Sequence, residues 1–570
     1  MLFRVSASTA VLVFSLSLAG GALAQSTGDA TERASVDERS VYGAYLAGRS
    51  AVHSGDSEEA ATRLEAVAAA MPDNPKLRQR AFTAALYAGD IQAAARLAPA
   101  PDPDQPGLDS LGRLTQAANA LAEGQSGLAV DRLAESSIVF PHRTAAAVLR
   151  PWALAAAGNW DAALTAPEGE GDRIADLFSA LARAQLLEIH KQSDDAEAIY
   201  KTLAEDPVAS ALFLPMYGEF LERRGRRADA VALYDKGLLE NPGDMTLVAL
   251  KDRARRRGKA PPLPTLAQGA AQSMGFAAAA MNAQRQTELS MIYLRLALRL
   301  DPSLYQGWML VGDALARIDD EAAARAAWAR VPPTSIYYAE SRTKLIYSLQ
   351  ADREVADALK LAEEDARARP EDNRAQLTYA DLLRANKRDA DAVAVLDRLI
   401  AAGDSDWRPR YMRAISLDRM NRWPEAEADL QRAMAMGGDQ PEVLNYLGYA
   451  WIDRGVKVRE GMALVERAAS GQPQSGAIQD SLAWAHFKLG DYAQAVQLLE
   501  GAVLLSPADP DVNDHLGDAY WMVGRKDEAR FQWRRVLSLE PNDEQKARAE
   551  KKLADGLPTP PASTAAAPST

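Results

Sequence analysis

The chain has 570 residues, no cysteine and a formal charge of −13. That length exceeds what one compact core organises, so several domains or a repeat array is expected. The missing cysteines exclude disulfides and thiol chemistry, and the acidic excess argues against nucleic acid, whose phosphates require a basic footprint. Alanine is abundant, aromatics make up only 6% of the residues, and runs of alternating β-branched residues are rare. An all-α chain is therefore expected, because alanine and the straight-chain residues lose least on entering a helix.

At the N-terminus, Arg4 precedes an apolar stretch from Ala10 to Leu18, and Ala22-Leu23-Ala24 follows with the small-x-small pattern of a cleavage site after Ala24. Residues 1–24 read as a signal peptide. The other reading is an uncleaved anchor, disfavoured by an apolar core that is short and broken by serines and glycines. No cysteine follows, so the chain is not read as a lipoprotein. An alanine-rich, lysine-poor exported chain of this kind points to a periplasm.

Residues 36–258 carry weak repeats that start near Val41, Pro75, Ser110, Thr144, Leu177 and Ala211. Gly48, Gly55, Ala60, Leu64 and Pro72 mark the first, and Tyr217-Gly218, Gly225, Ala230, Tyr234 and Pro242 mark the last. The proline cluster Pro99 to Pro106 cannot continue a helix and reads as an inserted loop. Two basic runs lie about one repeat apart: Arg223, Arg224, Arg226 and Arg227, then Arg253, Arg255, Arg256 and Arg257. They fit either an ordinary solvated face or a contact for anionic lipid head groups or an acidic partner, and so peripheral membrane association. Register then fails, and Pro261-Pro262-Leu263-Pro264 marks residues 259–264 as a junction between two halves or a kink in one continuous array.

Over 265–541 the period is clean, with starts near 271, 305, 339, 373, 407, 441, 476 and 510. In the last two repeats Leu482-Ala483-Trp484 to Gly490-Asp491-Tyr492 matches Leu516-Gly517-Asp518 to Gly524-Arg525-Lys526 at an offset of 34. Ala495 then matches Ala529, Leu499 matches Trp533, and Pro507 matches Pro541. Leu447-Gly448 and Val311-Gly312 repeat the Leu-Gly pair, and Ala426, Ala392, Ala358 and Ala324 repeat the mid-repeat alanine. This pattern resembles the tetratricopeptide repeat. The resemblance implies an α-solenoid of about 14 antiparallel hairpins in a right-handed superhelix.

The spacing has a physical reading. Apolar residues at three- and four-residue steps give each helix one buried face. Small residues at the eighth and twentieth positions let paired helices approach, and glycine near the fifteenth ends the first helix. The large residue at the twenty-fourth (Tyr200, Tyr234, Trp328, Leu430, Trp533) is expected to fill space against the next hairpin. Residues 542–556 read as a charged capping helix, and 557–570, rich in Pro, Ala, Ser and Thr, as a disordered tail.

No catalytic, phosphate-loop or metal-spaced motif is found, so neither an enzyme nor a cofactor is expected. His486 reads as structural, His515 as a surface residue, and the carboxylates as solvated. The resemblance implies a ligand groove lined by first helices. Mapped here, its positions are Asn445, Tyr449, Ile452 and Asp453; Asp480, Trp484, Phe487 and Lys488; and Asp514, Asp518, Trp521 and Met522. An aromatic strip flanked by carboxylates fits an extended basic or apolar protein segment, unless these aromatics pack between repeats. The expected role is a periplasmic scaffold or adaptor in envelope biogenesis, secretion or polysaccharide export. The alternatives are a chaperone-like binder of extended or unfolded clients and, more remotely, a regulatory subunit of an enzyme complex.

Overall fold

The computed structural model describes residues 40–134, 138–165, 173–206, 209–241, 244–403 and 406–558. The signal segment 1–24 and the tail from 559 onward lie outside the described residues. Among the described residues every regular element is a helix, thirty in all. None of them is long and apolar enough to cross a membrane. The hairpin array read from the sequence is the observed fold.

Local chemistry sets the helix ends. Asp372, Asp406 and Asp509 each accept hydrogen bonds from first-turn N–H groups of the helices that follow them, and Thr265–Gln268 and Asn542–Gln545 form capping boxes. Where each first helix ends, the chain turns through a left-handed residue. Gly490 and Gly524 supply it at φ 85° and 88°, but Lys387 and Asn421 hold the same turn at φ 59°. That conformation costs a residue with a Cβ about 1–2 kcal/mol, so the geometry persists where the glycine signal is missing.

Each hairpin is locked by a small residue on its first helix and a large one on its second. Gly312 faces Trp328, Gly517 faces Trp533 and Gly218 faces Tyr234, each so closely that an added Cβ would strike the ring. The twenty-fourth residue therefore packs within its own hairpin as well as against the next one, where Tyr200 meets Phe220 at 5.1 Å and Leu430 clusters with Leu444 and Leu447. Polar handles explain the choice. Trp328 Nε1 donates to Asp313 at 3.1 Å, Trp533 Nε1 to Asp518 at 3.0 Å and the Tyr234 hydroxyl to Glu222 at 2.9 Å, all within one hairpin. A buried N–H or O–H without such an acceptor would cost about 1–3 kcal/mol.

The described residues divide into two compact units, those up to 284 with 288–300, and 285–287 with those from 301 onward. The break thus falls after Leu300, and not in 259–264. The hairpin Leu266–Ala283 and Thr287–Leu300, which the period assigned to the second array, belongs with the first. Its side chains are spent there: Trp152 Nε1 donates to Ser273 Oγ at 2.9 Å, His142 and the Tyr293 hydroxyl meet at 2.8 Å, and Phe178 stacks on Phe276 at 4.3 Å.

In the first unit the first helices are Val41–Ser54, Pro75–Ala88, Pro106–Ala122, Arg143–Ala156, Arg173–Ile189 and Ser210–Arg223. Three of their second helices are short: Ile91–Leu97, Ser126–Arg132 and Trp160–Leu164. Prolines 99 to 106 end the first of these. In the second unit the first helices are Tyr305–Ala316, Tyr338–Ala351, Asn373–Ala385, Trp407–Arg419, Pro441–Asp453, Gly476–Lys488 and Pro510–Met522, followed by the single helix Asp543–Asp555.

Candidate functional site

Helix Pro441–Asp453 sets Asn445, Tyr449 and Asp453 at i, i+4 and i+8, which places them on one face. The next first helix repeats the row as Asp480, Trp484 and Lys488, and the one after as Asp514, Asp518 and Met522. The structure brings these rows side by side and uses much of them internally. Asp480 and His515 are within 2.9 Å, Lys488 Nζ donates to the Asp453 carbonyl at 3.1 Å, and Trp484 lies flat between Phe487 at 4.5 Å and His515 at 4.0 Å.

Five of the twelve groove residues expected from the sequence are buried: Ile452, Asp480, Trp484, Asp514 and Asp518. The carboxylates do not project outward as charge for steering. Lys552 Nζ donates to Asp514 at 2.8 Å and Asp518 at 2.7 Å, and Arg548 pairs with Asp511 and Asp514. The cations come from helix Asp543–Asp555, whose side chains the repeat pattern does not align with the groove. Burial raises the Asp518 carboxyl above the usual carboxylate range, with Lys552 opposing and Asp514 adding to the rise.

His515, expected at the surface, is only 6% exposed. Burial alone would lower its pKa, but the adjacent Asp480, with Asp514 and Asp518, holds it above the ordinary imidazole value. His486 contacts Asp491 at 3.3 Å on the rim of its helix. Trp521 donates from Nε1 to the Leu557 carbonyl at 3.0 Å, while the Lys526 ammonium lies 3.9 Å from its ring centre.

What stays open is narrower. Asn445, Tyr449, Phe487, Trp521 and Met522 are half-buried, and Asp453 and Lys488 are exposed. Asn445 Oδ1 is buried without a hydrogen-bond partner. The Tyr449 hydroxyl makes no hydrogen bond among the described residues. Burial raises its pKa, and the nearby Asp453, Asp480 and Asp511 add to the rise. Four residues apart on one helix, these two groups hold unmet hydrogen-bonding capacity beside the Phe487 and Trp521 edges.

Sequence reasoning missed a second polar row on the same face. The Tyr347 hydroxyl donates to Asp381 at 2.9 Å, the Tyr446 hydroxyl donates to Asp418 at 3.0 Å, and Arg454 also pairs with Asp418. The offset of 34 between Tyr347 and Asp381 was the available signal.

The basic runs in the first unit are largely stitched to the neighbouring repeats. Arg223 pairs with Glu188 at 2.8 Å, Arg253 with Glu222 at 2.8 Å, and Arg226 with Glu197 at 2.6 Å. Arg255 reaches Asp235, Arg256 reaches Asp252, and Arg227 donates to the Gly258 carbonyl. Arg224 and Arg257 carry no ion pair among the described residues. No cluster of three or more His, Cys, Asp or Glu that could hold a metal ion occurs among the described residues.

Stacked two-helix repeats, each locked by a small–large pair and joined to the next by side-chain bonds, define a helical-repeat protein that works through its surface. Family models of the tetratricopeptide repeat match residues 343–406, 411–476 and 486–553. Those segments are tetratricopeptide repeats. The chain is 29% identical over 142 residues to a TPR repeat-containing protein of Pseudomonas aeruginosa, a match covering 25% of this chain and 24% of that relative. Among solved structures it is similar to the APC/C hetero-tetramer Cut9-Hcn1, with 15% identity, 90% of this chain and 96% of that chain covered, and a TM-score of 0.38. It is also similar to YrrB, a TPR protein with an unusual peptide-binding site, with 15% identity, 33% and 97% covered, and a TM-score of 0.26. Such repeats serve as scaffolds for protein–protein interaction and are typically non-catalytic; no enzyme family is indicated.

Proposed function

We propose that this chain is an exported, periplasmic scaffold that holds an extended protein segment on the first-helix face of residues 441–522. The observation that carries this reading is the pair Asn445 and Tyr449, an acceptor and a hydroxyl with no hydrogen-bond partner among the described residues. An extended segment offers main-chain N–H and C=O groups that complete both, while its apolar side chains rest on Phe487 and Trp521. Because Asp480, Asp514 and Asp518 are already paired, apolar contact and main-chain hydrogen bonds carry affinity. Asp453 is engaged as well, with Lys488 Nζ at 3.6 Å and Trp484 Nε1 at 3.4 Å, so charge adds little preference for a basic segment. The periplasmic assignment rests on Arg4, the apolar stretch and the Ala22-x-Ala24 pattern. Processes such as envelope assembly, secretion or polysaccharide export suit a scaffold placed there.

The test is a photo-crosslinking amino acid at position 449 in the native cell, with Asn445→Ala as the paired variant. One stoichiometric partner, lost on Asn445→Ala without a change in thermal stability, is the expected result. Capture of many unfolded clients would favour the chaperone reading, and no capture at all would overturn the site.

A further inference from the structure

In a stacked-repeat protein each repeat contacts its neighbours, and interactions stay local in sequence. The hairpin Leu266–Leu300 breaks that rule. Its side chains reach the first helices of four successive repeats, across separations of up to 208 residues. Arg295 donates to the Tyr87 carbonyl at 3.2 Å, and Arg299 donates to Asn119 at 2.9 Å and Glu123 at 3.0 Å. Tyr293 meets His142, Ser273 accepts from Trp152, and Phe276 stacks on Phe178. Gly269 lies so close to the Trp152 ring that any Cβ would strike it.

This contact has the make-up of a partner interface rather than of repeat stacking. Stacked repeats here bury Ala, Leu and Val against one another, as around Ala426, Leu430 and Leu447. The hairpin buries apolar residues too, among them Ala270, Met274 and Leu296, but it adds arginines donating to a carbonyl, an amide and a carboxylate. Its Gly269 takes Trp152 from another repeat, whereas Gly312 with Trp328 and Gly517 with Trp533 close within one hairpin. Residues 258–265 before it and 301–304 after it contain no helix, so it hangs between two non-helical tethers. On the second unit the equivalent first-helix face leaves Asn445 Oδ1 unpaired, whereas on the first unit Asn119, His142 and Trp152 are all satisfied by the hairpin.

We infer that the first-helix face of the N-terminal unit is a protein-binding surface that takes a helical hairpin, and that residues 266–300 fill it as an occupant built into the chain. The surface is closed in the free protein. It opens only to a helical partner that displaces 266–300 while offering the same small-residue face to Trp152 and cations to Tyr87 and Asn119.

The experiment uses the full chain and a fluorescent peptide of residues 266–300 as probe. Gly269→Leu strikes Trp152, and the milder double variant Tyr293→Phe with Arg299→Ala removes the bonds to His142, Asn119 and Glu123. Wild type should bind the peptide at least 100-fold more weakly than Gly269→Leu, with the double variant between them. In both variants hydrogen exchange should show 266–300 losing protection while Pro75–Ala88 through Arg173–Ile189 keep theirs. If Gly269→Leu fails to fold, the double variant decides. Equal binding by wild type and variants would overturn the inference. So would unchanged protection of 266–300, or loss of protection in the four first helices together with it.

Discussion

The two units use the same repeat for opposite ends. In the second, the inter-repeat bonds are short in sequence: Tyr347 to Asp381 spans 34 residues, His515 to Asp480 spans 35 and Lys552 to Asp514 spans 38. In the first, Arg295 to Tyr87 spans 208 and Arg299 to Asn119 spans 180. One array is a ladder whose rungs depend on the next rung, and the other is drawn together by a hairpin that touches four repeats. A ladder leaves a face for partners, while a closed unit spends that face on itself.

The largest effect that separates them is the loss of a core tryptophan. Trp152 and Trp533 are both fully buried, and replacing either with alanine should cost about 3–5 kcal/mol. Trp152→Ala should lower the urea midpoint of the whole first unit in one transition. Trp533→Ala should instead split the second unit's transition and release Pro510–Asp555 first. A single shared transition in both variants would dissolve the contrast.

Acid and base should act with opposite sign. Burial lowers the His142 pKa from 6.5 to about 4, so this histidine is neutral when folded and binds its proton readily only when unfolded. The first unit should be fully stable above about pH 6.5 and lose on the order of 3 kcal/mol as the pH falls toward 4. His142→Gln should flatten that limb. His515 is held charged by Asp480, Asp514 and Asp518, with Lys552 opposite. Its contribution should be complete below about pH 6.5 and fade as the pH rises through its raised value. Thermal unfolding at stepped pH, followed separately in each unit by exchange, checks both signs.

The smallest effect concerns the turns. Lys387→Gly relieves a left-handed residue at φ 59°, but the added freedom of the unfolded chain offsets part of the gain. A net stabilisation of about 0.5 kcal/mol is expected, and Gly490→Ala should destabilise by at least as much. Chemical denaturation resolves both.

Much of this was legible before any coordinates. Gly312, Gly448 and Gly517 recur with the period because two helices cannot close on a side chain, and that fixed both hairpin and fold class. The placement of residues 266–300 was not legible. Gly269, Ala270 and Ala277 satisfy the small-residue pattern of a repeat and equally the pocket for Trp152, and periodicity shows which face is buried but not what covers it. The groove carboxylates misled for a related reason. Asp514 and Asp518 lie at positions that face solvent in an isolated repeat, and only helix Asp543–Asp555 supplies Lys552 and Arg548. His515 could have been caught, since Asp480 stands 35 residues upstream, one repeat away.

The most direct test is native-state hydrogen exchange of the wild-type chain across a urea series. The account predicts that Pro75–Ala88, Arg143–Ala156 and Thr287–Leu300 open together with one free energy and one urea slope, while the second unit opens in graded steps along Tyr305–Asp555. If Thr287–Leu300 instead opened with the second unit, or if both units opened as single blocks, the division into a closed array and an open one would be contradicted.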